Sequence, residues 1–336
     1  MRRTLAVLAI PFRRPYVTAA GTVGERELLL LRLEDEDGVR GVGEAAPFEP
    51  YDGTPLRDVA DALLGRADVP PPPQAQAAEE MARLDLEARR EGRPICEPAV
   101  ATIPVNWTVA AGPAEEAVAR VKEGLRLGYT CFKLKVGFPD DLDRVAAVRE
   151  ALGDWPALRL DANGAWSVQE AIERIEALAE HDLELVEQPC RTLDELAEVR
   201  RAVEVPIAAD EPIRGIDDVR LAASLGACDV VALKLATCGG IGPTREAIRV
   251  ARSEGLEPVL SSTLDGPWGI AAALQVAAAE GLTLPCGLAT LELFSARIAK
   301  ALRRPRAGML EVPVGPGLGV EVDDFDLAEV LVEELR

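Results

Sequence analysis

Lysine is scarce in this 336-residue chain, with five residues against thirty-two arginines. Histidine is scarcer: His181 stands alone in AEHDLEL, which excludes a histidine-built zinc centre and leaves little for a His-centred triad. The six cysteines, at 96, 131, 190, 228, 238 and 286, contain no Cys-x-x-Cys pair and read as reduced, mostly buried small hydrophobes of a cytoplasmic protein. No run approaches the roughly 20 apolar residues needed to cross a bilayer. The opening MRRTLAVLAIPFRRP has an apolar stretch closed early by Pro11 and two arginines, too short for a signal-peptide core. Basic charge is also lacking. A formal net charge of −20 leaves no cationic stripe to replace phosphate counterions, so neither nucleic acid nor a membrane is expected as partner.

What is present suits a large folded unit. An apolar fraction of 48% supports a sizeable core, and the length fits one barrel with a smaller companion. Residues 1–100 read as an α+β unit. GERELLLLRLEDEDGVRGVGEAAP holds two strand-like runs around an acidic turn at 34–38, and a short helix follows near 55–64. A Pro-rich loop at 70–73 then leads into a helix with apolar spacing that stops at Gly92. From Ile103 the rhythm changes. IPVNWTV, CFKLKV, LRLDA, ELVEQP, PIAAD, DVVALKL, EPVLSS and LPCGLA alternate with helix-like segments such as SVQEAIERIEALAEH. Lys133, Asp161, Glu187, Asp210, Lys234 and Ser262 lie 28, 26, 23, 24 and 28 residues apart, each interval long enough for a strand, a helix and two loops. Eight such units predict a parallel β/α barrel over 101–303. A doubly wound open sheet is the alternative, disfavoured because no Gly-x-Gly-x-x-Gly turn is found. One more helix is expected after Leu291, and a Pro/Gly-rich tail at 304–336 is expected to return to the N-terminal unit.

The scarcity of lysine makes its placement informative. Lys133 and Lys135 in TCFKLKVG and Lys234 in VVALKLAT sit inside strand-like runs. A chain that builds its other cations from arginine has kept there an amine that can be tuned into a base. Lys133 and Lys135, two apart on a strand, project to one face, the barrel interior. All the polar landmarks fall late in their strands, where barrel active sites gather. Asp161, Glu187 and Asp210 offer hard oxygen ligands on three successive strands, suited to Mg²⁺ or Mn²⁺. Such an ion beside a substrate carboxylate stabilises the second negative charge that develops when the adjacent carbon loses its proton. Lys135 is then the expected base. Lys133 is its neighbouring cation and a contact to the substrate carboxylate; with burial and the metal it is expected to depress the Lys135 pKa from ~10.4. Lys234, from across the barrel, is expected to be the opposite-face acid/base or a fixed cation.

Together, Lys-x-Lys at 133–135, Asp161-Ala-Asn163, Glu187-Gln-Pro, Asp210-Glu211 and Lys234 resemble the signature of the enolase superfamily, and the two lysine strands resemble its muconate-lactonizing-enzyme subgroup. GVGEAAPFEPY is similar to the capping-domain hairpin and loop, ARLDLEARREG to the helix entering the barrel, and PVGPGLGVEVD to the tail, so the resemblance spans nearly the whole chain. It implies an α/β fold, a modified (β/α)7β TIM-like barrel with an N-terminal α+β capping domain completed by the C-terminal tail. It also implies Mg²⁺ held by Asp161, Glu187 and Asp210, Lys133 and Lys135 as the strand-two pair, and Lys234 as the opposite lysine.

The subgroup includes o-succinylbenzoate synthases, N-succinylamino acid racemases, dipeptide epimerases and muconate cycloisomerases. SSTLDGPWGIAAALQVAAA and LPCGLATLELF are most similar to the synthases. The Asp-x-Asp that dipeptide epimerases usually carry after strand eight is replaced by GLATLEL, with Glu292 as a lone carboxylate. The resemblance therefore implies a small-molecule carboxylate substrate, 2-succinyl-6-hydroxy-2,4-cyclohexadiene-1-carboxylate, dehydrated to o-succinylbenzoate in menaquinone biosynthesis. The racemase, epimerase and cycloisomerase activities stay open as alternatives. Asn163 and Glu211 are candidates for the polar surround of the site, though Asn163 equally suits a turn and Glu211 a solvated loop. Ser261 and Ser262 are candidates for the succinyl carboxylate or for capping the next helix. The 14–24 loop, with Phe48 to Tyr51, is expected to close over substrate. Arg159, with the parity of Asp161 but deeper, reads as an interior structural cation. A Schiff-base aldolase would leave three carboxylates idle, and a non-catalytic relative would be expected to have lost ligands or lysines. The sequence allows a homo-oligomer without indicating one.

Overall fold

The computed structural model describes residues 1–18 and 21–335. Its N-terminal layer is an antiparallel sheet of β1 (Arg2–Thr18), β2 (Gly21–Glu34) and β3 (Arg40–Ala45), in sheet order β13-β1-β2-β3, where β13 (Leu331–Leu335) comes from the chain's other end. The leucine run of β2 is buried on both faces. Leu29, Leu31 and Leu33 pack against α2 (Leu56–Leu63) and α3 (Pro73–Glu91), whereas Leu28 and Leu30 join the core shared with the barrel. Alternation of side chains across a strand makes one apolar run serve two interfaces. A single turn of helix, α1 (Glu49–Asp52), precedes α2, and α3 stops at Gly92 in the left-handed conformation (φ 66°) that glycine adopts without strain.

Seven parallel strands follow: β5 (Trp107–Val109), β6 (Cys131–Lys135), β7 (Ala157–Asp161), β8 (Leu183–Glu187), β9 (Ile207–Ala209), β10 (Val230–Leu233) and β11 (Glu257–Leu260), after a short β4 (Thr102–Pro104). Each neighbours its predecessor, as right-handed β/α units require. The connecting helices are α4 (Ala114–Arg126), α5 (Asp141–Leu152), α6 (Val168–Leu178), α7 (Leu193–Ala202), α8 (Ile216–Leu225), α9 (Leu235–Cys238) and α10 (Ile241–Ser253); α11 (Pro267–Ala279) follows β11. Ser167 with Glu170 and Thr192 with Glu195 form reciprocal capping boxes that start α6 and α7. Parity divides the strands' side chains. Leu160, Val186, Ile207, Val231 and Leu260 pack outward into the main core, while Leu185, Ala208, Val230, Ala232 and Val259 form a separate interior cluster.

The eighth unit departs from the sequence expectation. LPCGLA contributes only bridges: Cys286 beside Val105 and Gly287 beside Ser261, with Gly287 N–H donating to Leu260 (2.8 Å) and Asn106 N–H to Cys286 (3.1 Å). These bonds close the sheet between its first and last strands. The helix expected after Leu291 is replaced by 3-10 turns at Ala289–Leu293 and Arg297–Lys300. The tail adds β12 (Met309–Glu311), paired with β4, then α12 (Asp324–Ala328) and β13 against β1. The 14–24 stretch, expected as a loop, is mostly hairpin: β1 and β2 run to Thr18 and from Gly21, with a register shift between Pro11 and Tyr16. The exposed Arg13-Arg14-Pro15 marks this irregularity, where a strand tolerates proline. Residues 19 and 20 of that stretch lie outside the described residues. The cysteines are all free, five of them buried. Among the described residues no helix is long and apolar enough to cross a membrane.

Candidate active site

Strand pairing sets the site. Lys135 is in register with Asp161, and Asp161 with Glu187, so their side chains share one level at the C-terminal ends of β6, β7 and β8. Asp210 and Lys234 directly follow β9 and β10. Lys133 Nζ donates to Glu187 Oε1 (2.9 Å) and lies 3.0 Å from Asp161 Oδ2, while Lys135 Nζ donates to the same Oδ2 at 2.7 Å. On the far side Lys234 Nζ donates to Asp210 Oδ1 and to the Tyr51 hydroxyl (2.7 Å), and Tyr51 in turn donates to Asp210 (3.1 Å). The three lysines and three carboxylates named from the sequence thus fall into two hydrogen-bonded clusters, Lys133 and Lys135 with Asp161 and Glu187, and Lys234 with Asp210.

Its electrostatics follow from burial and pairing. Burial opposes the ionised form of Asp161, but Lys135 and Lys133 outweigh it and hold the carboxyl well below its usual range. Glu187 is pushed up, by burial first, with Asp161 and Asp210 adding to it. Burial disfavours the charged amines of Lys133 and Lys135, yet Glu187 and Asp161 for the first, and Asp161 for the second, raise both above the ordinary lysine value. At Lys135 the Asp161 carboxylate in contact, which raises the amine, prevails over Lys133 on the same strand, which lowers it.

The remaining predicted residues fall into groups. Asn163, at a left-handed turn (φ 46°), both closes the strand-to-helix connection and accepts from Lys135 Nζ through Oδ1 (2.7 Å). Its amide donates to Glu211 (2.9 Å), whose other carboxylate oxygen is buried without a partner among the described residues. Burial and the adjacent Asp210 lift Glu211 to about 7. Ser262 shares a hydrogen bond with Thr290 (2.8 Å), which joins the ends of strands seven and eight. Ser261 is buried against Gly287. Phe48 stands apart from the lysines, its ring 4.9 Å from the Arg26 guanidinium. Arg159 pairs with Glu184 and donates to the Pro285 carbonyl (2.6 Å), two residues below Asp161.

One contributor escaped the sequence: Thr290, which partners Ser262 and is visible only through strand eight's return beside strand seven. Tyr16, inside the 14–24 stretch expected to close over substrate, stands near the tip of the β1–β2 hairpin, stacked on Phe12 (5.4 Å between centroids), and is among the groups that raise Lys135.

The donor set fits a hard divalent cation: three carboxylates at successive strand ends, with no thiolate or imidazole among them. As they stand, no three acidic side chains among the described residues close around a common point, because each is drawn to a lysine ammonium.

Comparison with known proteins agrees with this geometry. Residues 114–326 match the family model "Enolase C-terminal domain-like", and residues 2–70 match "Mandelate racemase / muconate lactonizing enzyme, N-terminal domain". The chain is 44% identical to the o-succinylbenzoate synthase of Thermobifida fusca over 238 residues, covering 69% of this chain and 72% of that protein. It is 32% identical to muconate cycloisomerase 1 of Rhodococcus opacus, covering 94% of each. Among solved structures, the N-succinyl Arg/Lys racemase of Bacillus cereus superposes with a TM-score of 0.92 at 22% identity, covering 99% of this chain and 98% of that one, a likeness of fold. The chain belongs to the mandelate racemase/muconate lactonizing enzyme family of the enolase superfamily, whose members are metal-dependent enzymes.

Proposed function

We propose that this enolase-superfamily enzyme is a Mg²⁺-dependent o-succinylbenzoate synthase, dehydrating 2-succinyl-6-hydroxy-2,4-cyclohexadiene-1-carboxylate in menaquinone biosynthesis. The observation that carries the reading is the arrangement of Lys135 and Lys234, an open and a closed amine on opposing strands with the carboxylates between them. The 44% identity to the Thermobifida fusca synthase supports it.

Asp161, Glu187 and Asp210 would hold the ion, whose chemistry is to neutralise these acids and to stabilise the second negative charge on the substrate carboxylate. Lys133, fixed between Asp161 and Glu187, orients that carboxylate. Lys135 Nζ takes the proton from the adjacent ring carbon, and Asn163 and Asp161 hold the amine in place. The new ammonium returns a proton to the departing hydroxyl on the same face, so the C–H and C–O bonds break, water leaves and the ring becomes aromatic. Lys234, held by Asp210 and Tyr51, stands as a fixed cation opposite. The Ser262–Thr290 hydroxyls are placed to receive the succinyl carboxylate.

Two lysines on opposite walls also suit two-base racemisation of an N-succinylamino acid, and that second reading rests on this one observation. A dipeptide epimerase is disfavoured because GLATLEL lacks the Asp-x-Asp pair, leaving only Glu292, which accepts from the Tyr129 hydroxyl (3.0 Å). Purified enzyme with Mg²⁺ should convert the cyclohexadiene substrate with a kcat/KM at least about tenfold above that for N-succinylamino acid racemisation. The reverse order, followed by ultraviolet absorbance and polarimetry, would assign it as a racemase.

A further inference from the structure

Two carboxylates of the N-terminal cap make contacts that the reaction above does not use. Glu80, on α3, accepts from the backbone N–H of Ile241 (2.6 Å) and Gly242 (3.1 Å), the first turn of α10. Glu44, in β3, accepts from Gly266 (2.7 Å) and Gly269 (3.2 Å) at the start of α11. Both helices are thirteen residues long, and each has a glycine at its N-cap with no side-chain hydrogen bond of its own. The first N–H groups of a helix have no intrahelical partner, so acceptor oxygens from another layer satisfy them, and the Glu80 carboxylate also meets their partial positive charge. Burial and Asp265 raise Glu44 to about 8, so its socket rests on the two hydrogen bonds.

The fit depends on missing side chains. A Cβ on Gly242 would stand 2.8 Å from Glu80 Oε1, and one on Gly266 or Gly269 would stand 2.7 or 2.8 Å from a Glu44 oxygen. What these sockets hold is one wall of the site. Lys234 is the N-cap of α9, which leads through Gly240 into the turn gripped by Glu80. The segment from Ser262 to Gly266 runs into the turn gripped by Glu44, and Arg26 holds the same segment by donating to the Thr263 carbonyl (3.2 Å).

We propose that Glu80 and Glu44 are positioning residues: through these sockets the cap sets the loop presenting Lys234 and the loop presenting Ser262. The chemistry they serve rests on the dehydratase reading; their geometry does not. The test uses the full chain loaded with Mg²⁺, with Glu80→Ala and Glu44→Ala compared with Glu80→Gln and Glu44→Gln. Amide hydrogen exchange should rise about tenfold across 235–245 in Glu80→Ala with 262–272 unchanged, and the reverse in Glu44→Ala. Dehydration kcat should fall about tenfold in Glu80→Ala with KM nearly constant. Glu44→Ala should act mainly on KM. Each glutamine variant, which keeps one acceptor oxygen, should recover part of the loss.

Gly242→Ala gives the reciprocal measurement. It should impair the wild-type enzyme much as Glu80→Ala does, and add little in the Glu80→Ala background, where the added methyl has room. Equal cost of Gly242→Ala in both backgrounds, or exchange that is unchanged or raised throughout the chain, would overturn the proposal. Should Glu44→Ala not fold, the half-buried Glu80 and Gly242 carry the test alone. If the wild-type enzyme does not dehydrate the substrate, the reaction assignment fails, and the exchange pattern still decides the sockets.

Discussion

Lys135 and Lys234 enter one chamber from opposite strands in different company. Lys135 keeps 22% of its side chain exposed and donates to the buried Asp161 and to Asn163, which is exposed at the barrel mouth. Lys234 keeps 6%, is bound to Asp210 and to the Tyr51 hydroxyl, and has the Tyr51 ring 4.7 Å from its nitrogen. Burial, then Asp210, keep that phenol protonated by raising it well above its usual value. An amine that must reach a carbon and return a proton needs freedom; a cation that only faces developing charge gains from being locked. The contrast is why the proposed function gives proton transfer to Lys135 and electrostatics to Lys234.

Glu187 holds Lys133 and is a proposed metal ligand. Glu187→Gln should therefore cost about 10⁴-fold in kcat, with calorimetry showing weakened Mg²⁺ binding; full activity at ordinary Mg²⁺ would remove it from the ligand set. Lys234→Ala sharpens the contrast. Dehydration should fall about 10²-fold, while any racemisation of an N-succinylamino acid should fall about 10⁴-fold, because the second base is gone. Equal losses would erase the distinction between the two lysines. Tyr51→Phe should have the smallest effect. It removes one charge-assisted hydrogen bond from Lys234 and one to Asp210, so a loss of about tenfold in kcat is expected, with Mg²⁺ affinity nearly unchanged. A larger loss would make the phenol part of the proton path.

Much of this contrast was legible in the chain. Lysines and acids inside apolar runs, at spacings of one β/α unit, predict strand-end positions for Lys133, Lys135, Asp161, Glu187, Asp210 and Lys234. Parity separated Arg159 from Asp161 only by depth, and the structure keeps the arginine below, paired with Glu184. What the chain hid depends on docking between segments far apart. The contact of Tyr51 with Lys234 spans 183 positions and that of Glu44 with Gly266 spans 222, and no local period reports either. Strand eight was overestimated because LPCGLA has an apolar composition suited to a full strand, yet only Cys286 and Gly287 pair. The surroundings of Lys135 were half legible, because its neighbour Lys133 on the same strand shows in the sequence, whereas the Asp161 oxygen at 2.7 Å comes from the next strand.

The central claim is that Lys135 is the proton-transferring amine. The most direct measurement is the kcat of Lys135→Ala for dehydration with Mg²⁺ present, alongside Mg²⁺ affinity and thermal unfolding. The account predicts turnover reduced at least about 10⁴-fold in a folded, Mg²⁺-binding protein; near-wild-type turnover in that variant would contradict it.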